Sequence, residues 1–250
     1  MPYSLPRYAV TIDGESAQIG TAAELAIALD VLQGRHDRAV LEQLRPHLAD
    51  IIATPQGLSQ TLKSLAPDDQ QFLVEALGNR LVDVVQSAPY LRDMLAALAE
   101  ERVEAALLKT LGTPGLRRLL MTAEDVAETL EWVYGDCDQL ALDLLGADYL
   151  RRLFHTGYEL SLVFNALDAR RQAQLLEMLN WQRVVALVMD GRDLAHLLRA
   201  LPPDLSNKLL AQYDRTQLVN LIHNEKDWEY LIHRLEDAEA TQLYRTLEVS

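Results

Sequence analysis

Residues 167–198 read LDARRQAQLLEMLNWQRVVALVMDGRDLAHLL, and residues 201–232 read LPPDLSNKLLAQYDRTQLVNLIHNEKDWEYLI. The second stretch begins 34 residues after the first and keeps its rhythm of apolar groups and polar breaks. In the first stretch the apolar residues fall into three trios: Leu175, Leu176, Leu179; Val184, Leu187, Val188; and Leu194, Leu197, Leu198. Spacings of three and four place each trio on one face of a helix. The stretch therefore predicts three short helices, each too short to be stable without neighbours.

Working outward, the last trio has counterparts along the whole chain. They are Leu25, Ala28, Leu29; Leu58, Thr61, Leu62; Leu91, Met94, Leu95; Val126, Thr129, Leu130; Leu160, Val163, Phe164; and Trp228, Leu231, Ile232. With Leu194 included, the first members are separated by 33, 33, 35, 34, 34 and 34 residues. The first-helix trio recurs from Leu73, Val74, Leu77 to Leu209, Leu210, Tyr213, and the second-helix trio from Leu48, Ile51, Ile52 to Leu218, Leu221, Ile222. Gly78, Gly112, Gly146 and Asn180 follow successive first helices, where a residue able to take positive φ ends a helix. Asp125, Glu159, Asp193 and Asp227 begin third helices, where a carboxylate meets the positive helix end. Pro67, Pro114 and Pro202 fall between helices.

A unit of this kind cannot bury its apolar stripe alone, so neighbours must stack. The expected fold is all-α, an α-solenoid superhelix of three-short-helix repeats over residues 21–250. Six full units lie between about residues 31 and 233, with a lone third helix before them and a lone first helix at 236–247. Residues 1–20 differ. Tyr8, Val10 and Ile12 alternate with smaller or polar residues, Asp13-Gly14 follows, and Ala17 and Ile19 alternate again. An Asp-Gly pair suits a two-residue hairpin turn. The hairpin is expected to cap the helical stack; its edge is also the place where a second copy would pair to give a homodimer.

The phrases ALPPDLSNKLLAQYD (200–214) and NALDARRQAQLLEML (165–179) resemble short-helix superhelices of the armadillo and HEAT type. In style they are similar to the cytosolic N-terminal domain of MgtE-type magnesium transporters and to the middle region of the flagellar rotor switch protein. The resemblance covers residues 21–247 as Leu-rich helices with acidic or proline starts. It implies a protein-binding or regulatory body rather than a catalytic one, and it supplies no residue-level motif.

Composition narrows the function. Aromatics make up 6% of the chain while Leu and Ala dominate, which favours helices. The formal net charge of −14, spread along the chain, argues against binding a nucleic acid. Cys137 is alone, so no disulfide framework is expected. The N-terminus lacks the basic and apolar regions of a secretory signal. The longest apolar run, Val184 to Met189, falls far short of the roughly 20 residues of a membrane helix. The chain reads as cytoplasmic, without membrane insertion.

No phosphate loop, nucleophile elbow or zinc-protease motif occurs. The histidines His36, His47, His155, His196, His223 and His233 lack ligand spacing. Cys137 sits between Asp136 and Asp138, carboxylates that raise a thiol pKa. No catalytic residue and no cofactor is expected. Between 124 and 148 the chain carries Glu124, Asp125, Glu128, Glu131, Asp136, Asp138, Asp143 and Asp148 with no Lys or Arg. Such a stretch favours a basic partner or a divalent cation, for which Asp136, Asp138 and Asp143 are the candidate ligands; the competing and favoured role of these carboxylates is to begin helices or face water.

Arg117-Arg118 and Arg151-Arg152 hold equivalent positions on adjacent second helices, where stacking would gather four guanidinium groups for an acidic partner. The competing role is pairing with Glu124 and Glu128. Trp132, Tyr134 and Trp181 lie at helix junctions, where an interface anchor and simple junction packing explain them equally well, whereas Trp228 is expected in the core. The leading expectation is a non-enzymatic scaffold or adaptor that binds a protein or peptide on a curved face. A divalent-cation-responsive regulatory body is the alternative. An enzyme on a helical-repeat scaffold, glycosylase-like or bilin-lyase-like, is the third reading.

Overall fold

The computed structural model describes residues 6–32, 34–98, 100–222, 225–233, 240–241 and 243–245. His223 and most of the expected closing helix at 236–247 lie outside the described residues. The chain opens with an antiparallel hairpin, β1 (Tyr8–Ile12) and β2 (Glu15–Ile19), with Ile12 opposite Glu15 and Tyr8 opposite Ile19. Asp13 and Gly14 turn it with φ of 51° and 87°, the two positive values that a two-residue turn requires. The rest is predominantly helical.

In chain order the helices are α1 (Ala22–Leu32), α2 (Asp37–Leu44), α3 (Leu48–Ile51), α4 (Pro55–Lys63), α5 (Pro67–Leu77), α6 (Leu81–Val85), α7 (Ala88–Leu95) and α8 (Glu101–Leu119). There follow α9 (Ala123–Leu130), α10 (Cys137–Leu145), α11 (Ala147–Leu153), α12 (Gly157–Asn165), α13 (Ala169–Leu179) and α14 (Trp181–Leu187). The last are α15 (Gly191–Ala200), α16 (Pro203–Leu210), α17 (Arg215–Leu221) and α18 (Glu225–Ile232). Two compact bodies result. One comprises Met1–Leu120 with Trp132–Leu144, and the other Met121–Glu131 with Leu145–Ser250.

In the N-terminal body α1 packs on α4 and α4 on α7, while α2 packs on α5 and α5 on α8. In the C-terminal body α9 packs on α12, α12 on α15 and α15 on α18. In these pairs each helix meets the one a full sequence period away. Every first-helix trio from Leu73 to Tyr213 is buried, as are the second-helix trios from Leu48 to Val188. The exceptions sit at the ends of the series: Ala28, Leu221, Ile222, Trp228 and Ile232 are half-buried. Trp228, expected in the core, meets Tyr244 edge-on with ring centroids 5.7 Å apart.

The breaks also recur. Gly78, Gly112, Gly146 and Asn180 have φ of 51°, 58°, 76° and 63°. Their ψ values of −133°, −174°, 151° and 154° are extended, so the chain turns sharply and the next helix starts at once. Gly112 accordingly breaks α8 in two. Five third helices begin on a side-chain cap: Thr21, Thr54, Thr122, Thr156 and Asp190 accept the backbone N–H of Glu24, Gly57, Asp125, Glu159 and Asp193 at 2.9–3.2 Å, whereas Ser87 before α7 makes no such bond. Asp125, Glu159 and Asp193 return the bond, accepting from the backbone N–H groups of Thr122, His155 and Met189.

A polar position accompanies each first helix, three residues ahead of its trio: Asp37, Gln70, Glu104, Gln172 and Ser206 are buried there and Asp138 is half-buried. Gln70 Nε2 donates to the carbonyls of Leu62 (2.8 Å) and Ala97 (3.3 Å), tying together the chain ends of two successive third helices. Gln172 Nε2 does the same with Phe164, Leu167 and Ala200 at 2.8, 3.2 and 2.9 Å. The Ser206 hydroxyl donates to Leu198 and Leu201. At these sites a helix end that would otherwise leave carbonyls dry is satisfied from the next element.

Candidate functional site

The arginine pairs divide between the bodies, Arg117 and Arg118 in one and Arg151 and Arg152 in the other. Arg118 donates to Asp83 at 2.9 Å, an exposed pair whose acid comes from α6. Arg117 is half-buried. Arg151 turns inward along the chain: its Nη2 donates to the Met178 carbonyl at 2.6 Å and its Nε to the Leu179 carbonyl at 3.3 Å, closing the end of α13. Arg152 is exposed, and its Nε donates to the Asp148 carbonyl. Arg183, which the sequence did not single out, has the matching role one element on. Its Nη2 donates to the carbonyls of Arg151 and Phe154 at 2.7 and 2.8 Å. Arginines here secure helix ends through charge-assisted bonds.

The junction of residues 132–138 is built on α8. Glu101 accepts the Asp136 N–H at 2.8 Å and Glu104 accepts the Tyr134 N–H at 3.0 Å. Gly135, at φ 59°, lies so close to the Glu101 carboxylate that a Cβ would collide with it. On this pinned loop Trp132 is 44% and Tyr134 64% exposed. Trp181, by contrast, is half-buried at the start of α14. Asp136 is exposed, Asp138 is half-buried with its carboxylate on the Gln139 N–H, and Asp143 accepts from the Gln139 side chain at 2.7 Å. Among the described residues, no group of three or more His, Cys, Asp or Glu side chains is placed to hold a metal ion.

Burial pushes the Cys137 thiol up to about 12, with the Glu104 and Glu101 carboxylates adding to the effect. The thiol is buried and donates to the Glu101 carbonyl at 3.4 Å, so it is protonated and unreactive at neutral pH. Glu104, only 1% exposed, is itself held above the usual carboxylate range, first by burial and then by Glu101, against the opposing Tyr134 N–H.

On the third helices of the C-terminal body a line of side chains runs across three elements. Tyr158 on α12 meets the His196 ring on α15 edge-on at 5.0 Å. His196 Nε2 lies 3.1 Å from the Tyr230 hydroxyl on α18. Arg192, one sequence period after Tyr158, stands 5.9 Å above the Tyr230 ring. Tyr158 is 48% exposed, and His196 and Tyr230 are half-buried. The sequence carried a signal for this line, since Tyr158 and Arg192, like His196 and Tyr230, are 34 residues apart. Shallow grooves lie between equivalent helices elsewhere. One of about 430 Å³ separates α4 from α7, lined by Gln56, Gln60, Lys63, Tyr90 and Asp93, and one of about 450 Å³ separates α13 from α16.

Among the described residues no helix is long and apolar enough to cross a membrane. No protein-family model matches the chain, and no curated protein matches it.

Proposed function

We propose that the chain is a non-enzymatic interaction scaffold, an α-solenoid whose third helices offer a face to a protein or peptide partner. The observation that carries this reading is the line of Tyr158, His196 and Tyr230. It spans three successive third helices and presents aromatic edges and polar tips together, the chemistry enriched at recognition surfaces. Trp132 and Tyr134 supply a second exposed aromatic pair on a loop held rigid by Glu101 and Glu104. Rigid anchors lose little entropy on binding. Cys137 and Glu104, whose pKa values burial raises, sit inside the packing rather than at an open reactive site, which fits a binding body better than an enzyme.

Panning a displayed random dodecapeptide library on the intact chain tests the reading. A peptide consensus is expected, with affinity falling about tenfold in the Tyr158→Ala/Tyr230→Ala variant, or about 1.4 kcal/mol. Circular dichroism of each variant establishes that it is folded. Absence of any consensus would overturn the scaffold reading. So would binders indifferent both to that pair and to Trp132→Ala/Tyr134→Ala.

A further inference from the structure

The hairpin leaves one edge closed and one open. In its register Thr11 points its backbone away from β2, and the Gln43 side chain fills that position. Gln43 Oε1 accepts from the Thr11 N–H at 3.0 Å and Nε2 donates to the Thr11 carbonyl at 3.1 Å. A side-chain amide thus stands in for a neighbouring strand on β1. On the far side of β2, Ser16 and Gln18 direct their N–H and C=O groups outward. Among the described residues nothing pairs with them there. The strand carries none of the Lys or Pro residues that usually blunt such an edge.

Beside that edge lies a groove of about 530 Å³, larger than the grooves between helices. Its floor is apolar: Val10, Ala17, Ile19, Ala28, Val31 and Val40. Val31 is 75% exposed and Ile27, one turn earlier on α1, 62% exposed, so the apolar surface continues onto the helix. At the hairpin tip Asp13 and Glu15 line the mouth, with His36 Nε2 3.2 Å from Asp13 Oδ2 as the facing basic group.

We infer that this groove docks an extended, basic-apolar segment of a partner protein, added as a third strand to β2. The backbone edge calls for a strand, and the apolar floor calls for β-branched side chains on its inward positions. The acids at the mouth, on a chain of net charge −14, call for lysine or arginine on the flanks. A second copy of this chain fits less well. Its own β2 would bring Glu15 and Ala17 to the groove while its Ile19 stays buried at home, and it would add like charge.

The inference rests on the scaffold reading and names one partner class for it. The test titrates intact protein with a fluorescent heptapeptide of alternating lysine and valine. Controls are the same composition in blocks, the glutamate-for-lysine version, and the peptide N-methylated at alternate amides. The alternating peptide is expected to bind, to slow amide exchange at Ser16 and Gln18, and to lose about tenfold or more in affinity in Val31→Lys and in Asp13→Asn/Glu15→Lys. Both variants change exposed side chains, and asparagine tolerates the positive φ of Asp13, so folding is retained. Equal binding of the block control, or binding unchanged in both variants, overturns the inference. So does concentration-dependent dimerisation through β2 without peptide binding, because the occupant is then a second copy. If the heptapeptide fails while library-derived binders still depend on Tyr158 and Tyr230, only the groove assignment falls. If both fail, the scaffold reading falls too.

Discussion

Gln172 and Glu104 occupy one place in the sequence period and meet it with different chemistry. In the C-terminal body the Gln172 amide donates to three carbonyls and carries no charge at any pH. In the N-terminal body Glu104 is just as buried but offers a carboxyl, which accepts the Tyr134 N–H. Asp37 departs further: it is 1% exposed, and among the described residues neither carboxylate oxygen has a hydrogen-bond partner. Burial, followed by the nearby Asp69, holds its carboxyl above the usual range. Gln172 settles a helix-end problem with a neutral donor, as Gln70 does in the N-terminal body, while Glu104 and Asp37 leave titratable groups inside the packing. The same spacing therefore produces pH-indifferent positions and pH-sensitive ones.

The largest way to break the comparison is to remove the neutral donor. Gln172→Leu keeps the volume but strands buried carbonyls at the ends of α12 and α15, and should destabilise the protein by ~2–4 kcal/mol. Gln70→Leu, which loses a longer bond to the next helix end (3.3 Å to Ala97, against 2.9 Å from Gln172 to Ala200), should cost less. Urea denaturation of the two variants ranks them; an equal loss would mean that packing volume, not hydrogen bonding, governs the position.

Next come two glycines that share a position at the start of third helices. A Cβ on Gly157 would lie 3.0 Å from the Asp193 Cβ and 3.1 Å from its carbonyl oxygen, whereas on Gly191 it would lie 3.5 Å from the same atoms of Asp227. Gly157→Ala must push α12 away from α15 and should cost ~1–3 kcal/mol. Gly191→Ala meets only ordinary contact and gains ~0.4–1 kcal/mol from a less flexible unfolded chain. Opposite signs in thermal melts are the expected outcome.

Asn180 can be compared with Gly78, Gly112 and Gly146. All four have positive φ with extended ψ, a region that suits glycine and strains other residues by ~1–3 kcal/mol. Asn180 offsets part of that by accepting the Arg183 N–H at 2.9 Å, a cap whose loss to glycine costs only a few tenths of a kcal/mol, roughly. Asn180→Gly should therefore stabilise the chain by ~1 kcal/mol, read as a higher Tm. A lower Tm would show that the cap outweighs the strain.

These pairs also show what the sequence could and could not tell. The apolar trios were legible because burial imposes a period of three and four on any helix that packs, and the structure buries nearly all of them. The Asp13-Gly14 hairpin and the positive-φ breaks were legible because few residues tolerate those backbone angles. The buried polar series kept the same spacing yet escaped notice. Asp37, Gln70, Glu104, Asp138, Gln172 and Ser206 differ in size and charge, so no single residue type marks the position. The arginines were read by their charge, whereas Arg151 and Arg183 are placed by the carbonyls that need them. The groove beside β2 could not be read at all, because it depends on how the hairpin lies over α1 and α2.

The smallest effect sharpens the opening comparison most directly. Because burial raises the folded-state pKa of Glu104 and Asp37, the folded state holds protons that the unfolded chain releases at the ordinary carboxylate value of about 4. Stability from these groups is then full at pH values below that, and is lost progressively as pH rises towards the folded-state pKa. Glu104→Gln gives the N-terminal body the neutral amide that Gln70 and Gln172 already supply. Its Oε1 can accept the Tyr134 N–H, and its Nε2 needs no titrating proton. The variant should match the parent below about pH 4 and exceed it at pH 8 by ~1 kcal/mol, the scale of one buried hydrogen-bonding group. Gln172→Glu should do the reverse in the C-terminal body, introducing a decline with rising pH at that position. Denaturation midpoints of both variants between about pH 3 and pH 8 decide the matter, because a purely packing role for the position would shift both curves without changing their slopes.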